Sequence, residues 1–221
     1  MMNNLFSIFD PAAILLISLN WVSLFMFLIL FLPSYWIFNS PYKLLISKMS
    51  QAMNKEFSTL LKTKKIGIIL CLSLFMLILF NNTLGLISFT FTATSHLVVT
   101  VALALPFWLS FILYSTINNM TEFLAHLVPS GTPAILMPFM VVIELISNII
   151  RPITLSVRLA ANMIAGHLLL TLLGNQVVSS SYAIFPLMMV AQLLLVMLES
   201  AVACIQAYVF SVLTTLYASE A

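Results

Sequence analysis

The amino-acid sequence predicts an all-α membrane protein with about five membrane-crossing helices and one amphipathic surface helix. Three features of its composition support this fold class. Hydrophobic residues make up 62% of the 221-residue chain, only 6% of the residues are charged, and the mean hydropathy is +1.17. A soluble domain has about 25% charged residues, so this chain has too few polar side chains to cover a globular surface in water. The expected solvent is therefore mostly lipid.

The N-terminal part contains a predicted span followed by a predicted surface helix. Residues 1–33 hold the first span, an uncharged run with about the 20 residues that cross a bilayer. Residues 42–62 repeat apolar side chains at spacings of three and four, which is typical of one helix face. Lys48, Lys55 and Lys62 form a separate stripe. The two stripes predict an amphipathic helix on a membrane surface, with a short soluble linker as the alternative.

Two further spans and a pair of long helices complete the predicted fold. Residues 66–120 are predicted to form a helical hairpin of two uncharged spans, the first ending near Phe91. Residues 133–219 are predicted to form a helix pair, with helices over 133–173 and 182–217. A helix of about 40 residues is roughly 60 Å long, whereas the hydrocarbon core is about 30 Å thick. Such a helix must tilt steeply, break or run partly along the membrane, and we expect a steeply tilted pair.

The distribution of basic residues predicts the orientation in the membrane. Six lysines fall between positions 43 and 65, and such clusters face the positive-inside compartment. The N-terminus is then outside and, after five crossings, the C-terminus is inside. The cluster lacks interleaved aromatic side chains and lies between membrane segments, so no nucleic-acid partner is expected. The two cysteines lack CxxC spacing, and no metal or cofactor is expected.

A polar stripe runs along the predicted 133–173 helix. Glu144, Arg151 and Arg158 are spaced by seven residues, and Asn148 and Asn162 follow the first and last of them by four. Steps of seven drift only about 20° around a helix, so these side chains share one face. Arg151 has two open explanations, a structural contact such as an ion pair with Glu144, or a transport role. Arg158 has no acid one turn away on its own helix.

The other titratable residues occur further along the chain. His167 follows Arg158 by nine residues, which rotates it by about half a turn, so we expect it to face away from the stripe. Glu199, Gln206 and Glu220 are separated by multiples of seven on the last helix. Ionisable side chains are costly inside a membrane and usually mark an ion path.

The predicted topology divides the titratable groups into two sets. His167 and Glu199 lie toward the outer side, and Glu144 and Glu220 lie toward the inner side, with Arg158 between the sets. Histidine and carboxylates can exchange protons at accessible pH, whereas arginine stays protonated. The pattern therefore indicates two proton half-paths that need a mobile carrier to connect them.

Several separate motifs resemble one protein family along the whole chain. The motifs are RPITLSVRLAANMIAGH at 151–167, LES at 198–200, QAY at 206–208, PSGTPAILMPFMVVIELIS at 129–147 and the opening MNNLFSIFDP. Together they resemble the subunit a family of F-type ATP synthases, in its mitochondrially encoded form. The mitochondrial members also have a compact N-terminus of this kind.

The resemblance implies a role for each residue that matches a family motif. Arg158 matches the essential arginine that faces the proton-carrying carboxylate of the rotating c-ring. Asn162 and Gln206 match polar residues that flank this arginine. Arg151 and Asn148 are candidates for supporting roles.

The resemblance also implies two half-channels. His167 and Glu199 match the pair that lines the half-channel open to the intermembrane space. Glu144 and Glu220 match acidic positions of the matrix half-channel, although some relatives have Asp where this chain has Glu220.

The expected function is that of a proton-translocating stator subunit in the membrane sector of ATP synthase. The subunit is expected to be non-catalytic and to bind no cofactor. Its expected partners are the c-ring, the peripheral stalk, other small membrane subunits and the lipid bilayer. The expected location is the mitochondrial inner membrane, with the N-terminus in the intermembrane space and the C-terminus toward the matrix. The alternatives are an ion channel or carrier, and a purely structural subunit of a respiratory complex.

Overall fold

The computed structural model of the chain confirms the all-α fold class. No strand occurs in the residues that it describes. The described residues are 9–11, 19–26, 41–61, 65–87, 90–118, 120–121, 124, 127–128, 136–179, 181–182 and 184–220.

Within the described residues, the main elements are five α-helices and two 3-10 helices. The α-helices are α1 (Pro41–Leu61), α2 (Lys65–Gly85), α3 (Leu97–Asn118), α4 (Met137–Ser179) and α5 (Phe185–Glu220). The 3-10 helices span Leu19–Phe25 and Ala93–Ser95.

Four of the five predicted spans are present as long apolar helices. Among the described residues, α2, α3, α4 and α5 are long and apolar enough to cross a membrane. The predicted first span within 1–33 is described only at 9–11 and 19–26, where Leu19–Phe25 is a 3-10 helix. The remainder of that predicted span lies outside the described residues.

Helix α5 lies at the centre of the helix packing. It contacts α2 on one side and α4 on another, while α3 packs chiefly against α4. Helices α2 and α3, which cover most of the predicted hairpin over 66–120, each pack mainly on one of the long helices. Helix α2 also ends at Gly85, earlier than the predicted end near Phe91. Glycine is common at helix ends, and the polar run after it forms the Ala93–Ser95 turn.

The core lies where α2 meets α5 and α4. Small side chains line much of the contact between the long helices, including Ser156 and Ala160 on α4 and Ala203 and Ala207 on α5, all at most 2% exposed. Small residues allow membrane helices to approach closely. The main buried cluster comprises Leu74, Phe75, Met76, Ile78, Leu79, Ala104, Leu155, Leu159, Ala207 and Phe210.

The apolar stripe of α1 is packed against the protein itself. Ile46, Met49 and Met53 contact the buried core cluster, and Phe57 is fully buried. Helix α1 contacts both α2 and α5. The amphipathic helix predicted over 42–62 is thus present, but its apolar stripe faces neighbouring helices. An apolar stripe in a sequence is compatible with contact to protein or to lipid.

Both long helices exceed the thickness of a bilayer. Helix α4 has 43 residues and continues without interruption through the buried Pro152, which makes it about 65 Å long. Helix α5 has 36 residues and is about 54 Å long. Their predicted length is confirmed. Since a hydrocarbon core is about 30 Å thick, they must tilt or extend beyond it.

Spin labels at Lys48→Cys and Lys55→Cys are expected to report an interfacial depth in a reconstituted membrane. Both lysines are exposed on α1, and ammonium groups remain at the polar surface of a bilayer. Depth can be measured by the accessibility of the label to oxygen and to a water-soluble relaxation agent. A label at Leu109→Cys, which is exposed in the middle of α3, is the mid-bilayer control. Labels on α1 at the control's depth would contradict a surface position.

Candidate functional site

The two long helices pack antiparallel in a defined register. Near the connection between them, the Glu199 carboxyl lies against the backbone of Gly166. Toward the other end, the guanidinium carbon of Arg151 lies 5.6 Å from the centre of the Tyr217 ring. These two contacts fix which residues of α4 and α5 stand at the same level. They also divide the candidate residues between two ends of the helix pair.

The end near the start of α4 contains a local ion pair. The Nη2 atom of Arg151 lies 3.6 Å from Glu144 Oε1, and each side chain is 37% exposed. The ring contact with Tyr217 also joins Arg151 to α5. Of the two explanations that the sequence left open for Arg151, the structural pair with Glu144 is therefore present. Asn148 is half-buried on the same helix.

The candidate residue Glu220 lies at the last position of α5. Its side chain lies outside the described part of the structure. Tyr217, one turn before it, contacts Arg151. Glu220 follows Tyr217 by only three residues on α5, so its backbone lies at the same end of the helix pair as the ion pair.

Arg158 has a different environment from Arg151. It is exposed, and its neighbours Thr154, Val157 and Ala161 on α4 are exposed as well. Within the described part of the chain, Arg158 makes no ion pair or hydrogen bond. The structure thus places a fixed positive charge on an outward face made of small and apolar side chains. Such a charge is costly in lipid unless another group approaches it.

Asn162 and Gln206 stand near Arg158 in the helix register. Asn162 follows Arg158 by one turn of α4, and the antiparallel register places it level with Gln206 on α5. Both side chains are half-buried. The polar residues predicted to flank the arginine therefore lie at adjacent levels of the helix pair.

The packing of α5 on α4 places Glu199 beside Gly166, the residue before His167. Glu199 is 8% exposed, and its carboxyl touches Gly166. His167 is half-buried, and its ring meets the edge of the Phe9 ring with centroids 6.4 Å apart. Glu199 Oε2 and His167 Nε2 are both buried, and neither has a hydrogen-bond partner within the described residues. Two titratable groups from different helices thus share one buried region, about 14 Å from Arg158 along α4.

Buried polar residues also occur near the end of α2 and in and beside the Ala93–Ser95 3-10 helix, and their burial was not predicted from the sequence. Asn82 and Thr94 are each 1% exposed, and Asn82 Oδ1, Thr94 Oγ1 and His96 Nε2 lack hydrogen-bond partners within the described residues. The His96 ring packs against both Trp21 and Phe91, 5.3 Å from the centre of each ring, and those two rings lie 5.8 Å apart. The polar stretch between α2 and α3 was visible in the sequence. Its burial was not, because burial depends on packing against α4.

Contacts at Gly85 connect these polar residues to the Glu199 region. A methyl group added at Gly85 would lie 3.1 Å from a Thr92 side-chain atom and 3.2 Å from Met163. Met163 is one turn before His167 on α4, and Asn82 is almost one turn before Gly85 on α2. Gly85 therefore brings α2 and Thr92 close to α4 one turn before His167.

Comparisons with known proteins identify the family. The family model described as ATP synthase A chain matches residues 14–219. The chain belongs to the ATP synthase A chain family. ATP synthase subunit a of Drosophila melanogaster is 57% identical over 222 residues, which cover 100% of this chain and 99% of the relative. The Anopheles gambiae and Locusta migratoria proteins of the same name are 55% and 52% identical, with the same coverage.

Membership of the ATP synthase A chain family confirms the resemblance drawn from the separate sequence motifs. The matched region includes α1 to α5 almost completely. The family and the four candidate spans agree on a multi-pass membrane protein. The ion pair of Arg151, the exposed Arg158 and the buried Glu199 are consequently features of an ATP synthase A chain fold.

Proposed function

We propose that the chain is the proton-translocating stator subunit in the membrane sector of ATP synthase. It provides two offset half-channels and an arginine that faces a rotating c-ring. The observation that carries this proposal is the contrast between the two arginines of α4. Arg151 is held by Glu144, whereas Arg158 is exposed and has no partner in the described residues. We infer that the anion for Arg158 comes from another chain.

The face around Arg158 suits a partner helix that carries a carboxylate. Ala161 and Ala165 follow Arg158 on the exposed side of α4, and small side chains permit a helix to approach closely. An ionised carboxylate is attracted to the guanidinium across this short distance. Once protonated, the same carboxyl group can move into lipid without the cost of a buried charge. This is the property that a rotating proton carrier needs.

Glu199 and His167 supply the half-channel from which protons are taken up. They share a buried region, and their polar atoms have no protein partner within the described residues. Buried polar atoms are usually hydrogen-bonded, and ordered water serves this purpose where protein does not. The further unpartnered atoms of Asn82, Thr94 and His96 extend the polar region toward the end of the bundle. Together these groups support a hydrated route to the ring.

Glu144 and Glu220 belong to the half-channel through which protons are released. Glu144 lies 14 residues before Arg158 on α4, about 21 Å away along the helix axis. His167 lies on the other side of Arg158 along the same helix. The fixed charge of Arg158 separates the two routes and opposes direct passage of a proton. Asn162 and Gln206 are polar groups beside the charge, and Asn148 and Arg151 support the release end.

The lysines of α1 and its flanks set the proposed orientation. They face the matrix by the positive-inside rule, so the N-terminus is in the intermembrane space and the C-terminus is toward the matrix of a mitochondrial inner membrane. The chain makes no ATP itself, and energy comes from the proton gradient at about 2.3 kcal/mol per charge per 100 mV. The peripheral stalk and small membrane subunits then hold it against the rotating ring.

Disulfide cross-linking to the ring tests which face of the chain meets the rotor. Ala161→Cys, exposed one turn from Arg158, is expected to cross-link to a cysteine placed beside the ring carboxylate. The exposed Cys204 is first replaced by Ser. Leu113→Cys, exposed on α3, is the matched control and should give no such product. Cross-linking to the ring from Leu113→Cys but not from Ala161→Cys would refute the proposed face.

A further inference from the structure

We propose that Gly166 is a positioning residue for proton uptake. Its bare Cα leaves the space in which the Glu199 carboxyl lies beside His167. The inference rests on the proposed function, in which Glu199 handles protons, and it adds a residue of α4 that determines where this acid is held.

The geometry at Gly166 leaves no room for a side chain. A Cβ atom added there would overlap Glu199 Oε1 and would lie 2.6 Å from Cδ and 2.9 Å from Cγ of the same side chain. Atoms in proteins essentially never approach a Cβ so closely. Three consecutive atoms of Glu199 are involved, so the carboxyl end as a whole rests on the α4 backbone. Glu199 is 8% exposed, so the acid is enclosed at this position.

Gly174 shows that the requirement at Gly166 is local. It lies eight residues further along α4, and an added Cβ would meet nothing within 4 Å. Glycine is a poorer helix former than alanine, so neither glycine is favoured by the helix itself. Gly174 therefore provides a substitution with the same effect on the backbone and no effect on Glu199.

The carboxyl group is the part that must move when a methyl group occupies the space. Glu199 has three rotatable side-chain bonds, whereas the α4 and α5 backbones are held by buried neighbours such as Ala160 and Ala203. A rotation of the side chain relieves the overlap at lower cost than separation of two packed helices. Gly166→Ala is therefore expected to displace the acid from His167 while the helix pair persists.

The test measures ATP synthesis by the complete complex in vesicles, with pH varied separately on each side. Gly166→Ala is expected to lower the rate by up to about tenfold, no more than removal of the acid in Glu199→Gln, since a misplacement of about 1 Å is enough to slow a reaction strongly. The change should appear in the dependence on pH at the uptake side. Gly174→Ala should keep the parent rate and pH profile. If Gly166→Ala matched Gly174→Ala in both respects, the positioning role would be refuted.

Shortening the acid provides a rescue that a merely structural role would not produce. Aspartate at position 199 is one methylene shorter and leaves room for the added methyl group. Gly166→Ala combined with Glu199→Asp is expected to recover at least half of the rate of Glu199→Asp alone. If Gly166→Ala prevents assembly, the shorter acid should restore the assembled complex on a native gel. If the shorter acid restored neither the rate of ATP synthesis nor, where assembly was lost, the assembled complex, the inference would be overturned.

Glu199→Gln separates this inference from the proposed function. A changed response to uptake-side pH in Glu199→Gln, with none in Gly166→Ala, would refute the positioning role alone. An unchanged response in Glu199→Gln would instead remove the proposed role of the acid itself.

Discussion

Replacing Arg158 by glutamine is expected to abolish proton-driven ATP synthesis while the complex still assembles. The side chain is exposed and has no partner in the described residues, so its loss leaves no buried acid unpaired within them. Glutamine keeps part of the polar volume and removes only the charge. Without that charge, nothing fixed attracts the ionised ring carboxylate or separates the two half-channels. The measurement is ATP synthesis in vesicles with an imposed gradient, with assembly checked by native gel.

Arg151→Gln is the matched control, because it removes the same charge from the same helix about two turns away. Its loss breaks the 3.6 Å pair with Glu144 and the ring contact with Tyr217. We expect a lower unfolding temperature and a partial loss of synthesis. Near-normal synthesis in Arg158→Gln, or complete loss in both variants, would contradict the distinct role assigned to Arg158.

Replacing Glu199 by glutamine is expected to slow proton uptake from the intermembrane side more than proton release into the matrix. The carboxyl is buried beside Gly166 and shares its region with His167, and the amide cannot exchange a proton. The expected loss is roughly tenfold, because ordered water can partly replace one side chain in a hydrogen-bonded route. The measurement is turnover as a function of pH, varied separately on each side of the membrane.

Glu144→Gln makes the corresponding change at the other end of the α4–α5 helix pair. It should slow proton release into the matrix more than proton uptake from the intermembrane side. It carries the same chemical change on the proposed release side of Arg158. If Glu199→Gln changed only the response to matrix pH, the two half-channels would be inverted. The orientation inferred from the lysines of α1 would then be wrong as well.

The helices were predictable from the sequence because lipid-exposed helices require long apolar runs. The lengths of α4 and α5 and the apolar stripe of α1 followed from spacing and composition. The region after Gly85 was predicted less well, since a polar stretch inside apolar sequence is compatible with a helix or with a buried turn. The sequence did not predict which surface the apolar stripe of α1 contacts, because that contact depends on tertiary packing.

The parts of the candidate site that lie on a single helix were predictable from the sequence. The common face of Glu144 and Arg151 follows from helical spacing, and the structure joins the two residues directly. The contact between Glu199 and Gly166 depends on how α5 slides along α4, which no spacing within either helix specifies. The same reason explains why the buried state of Asn82 could not be read from its neighbours in the sequence.

Proton flux through a complex with a locked rotor tests whether this chain holds two half-channels that only a moving ring connects. A reversible disulfide from Ala161→Cys to the ring locks the rotor in vesicles that contain the membrane sector. Proton flux under an imposed potential should fall to that of empty vesicles and return when the disulfide is reduced. Sustained proton flux through the locked complex would contradict it.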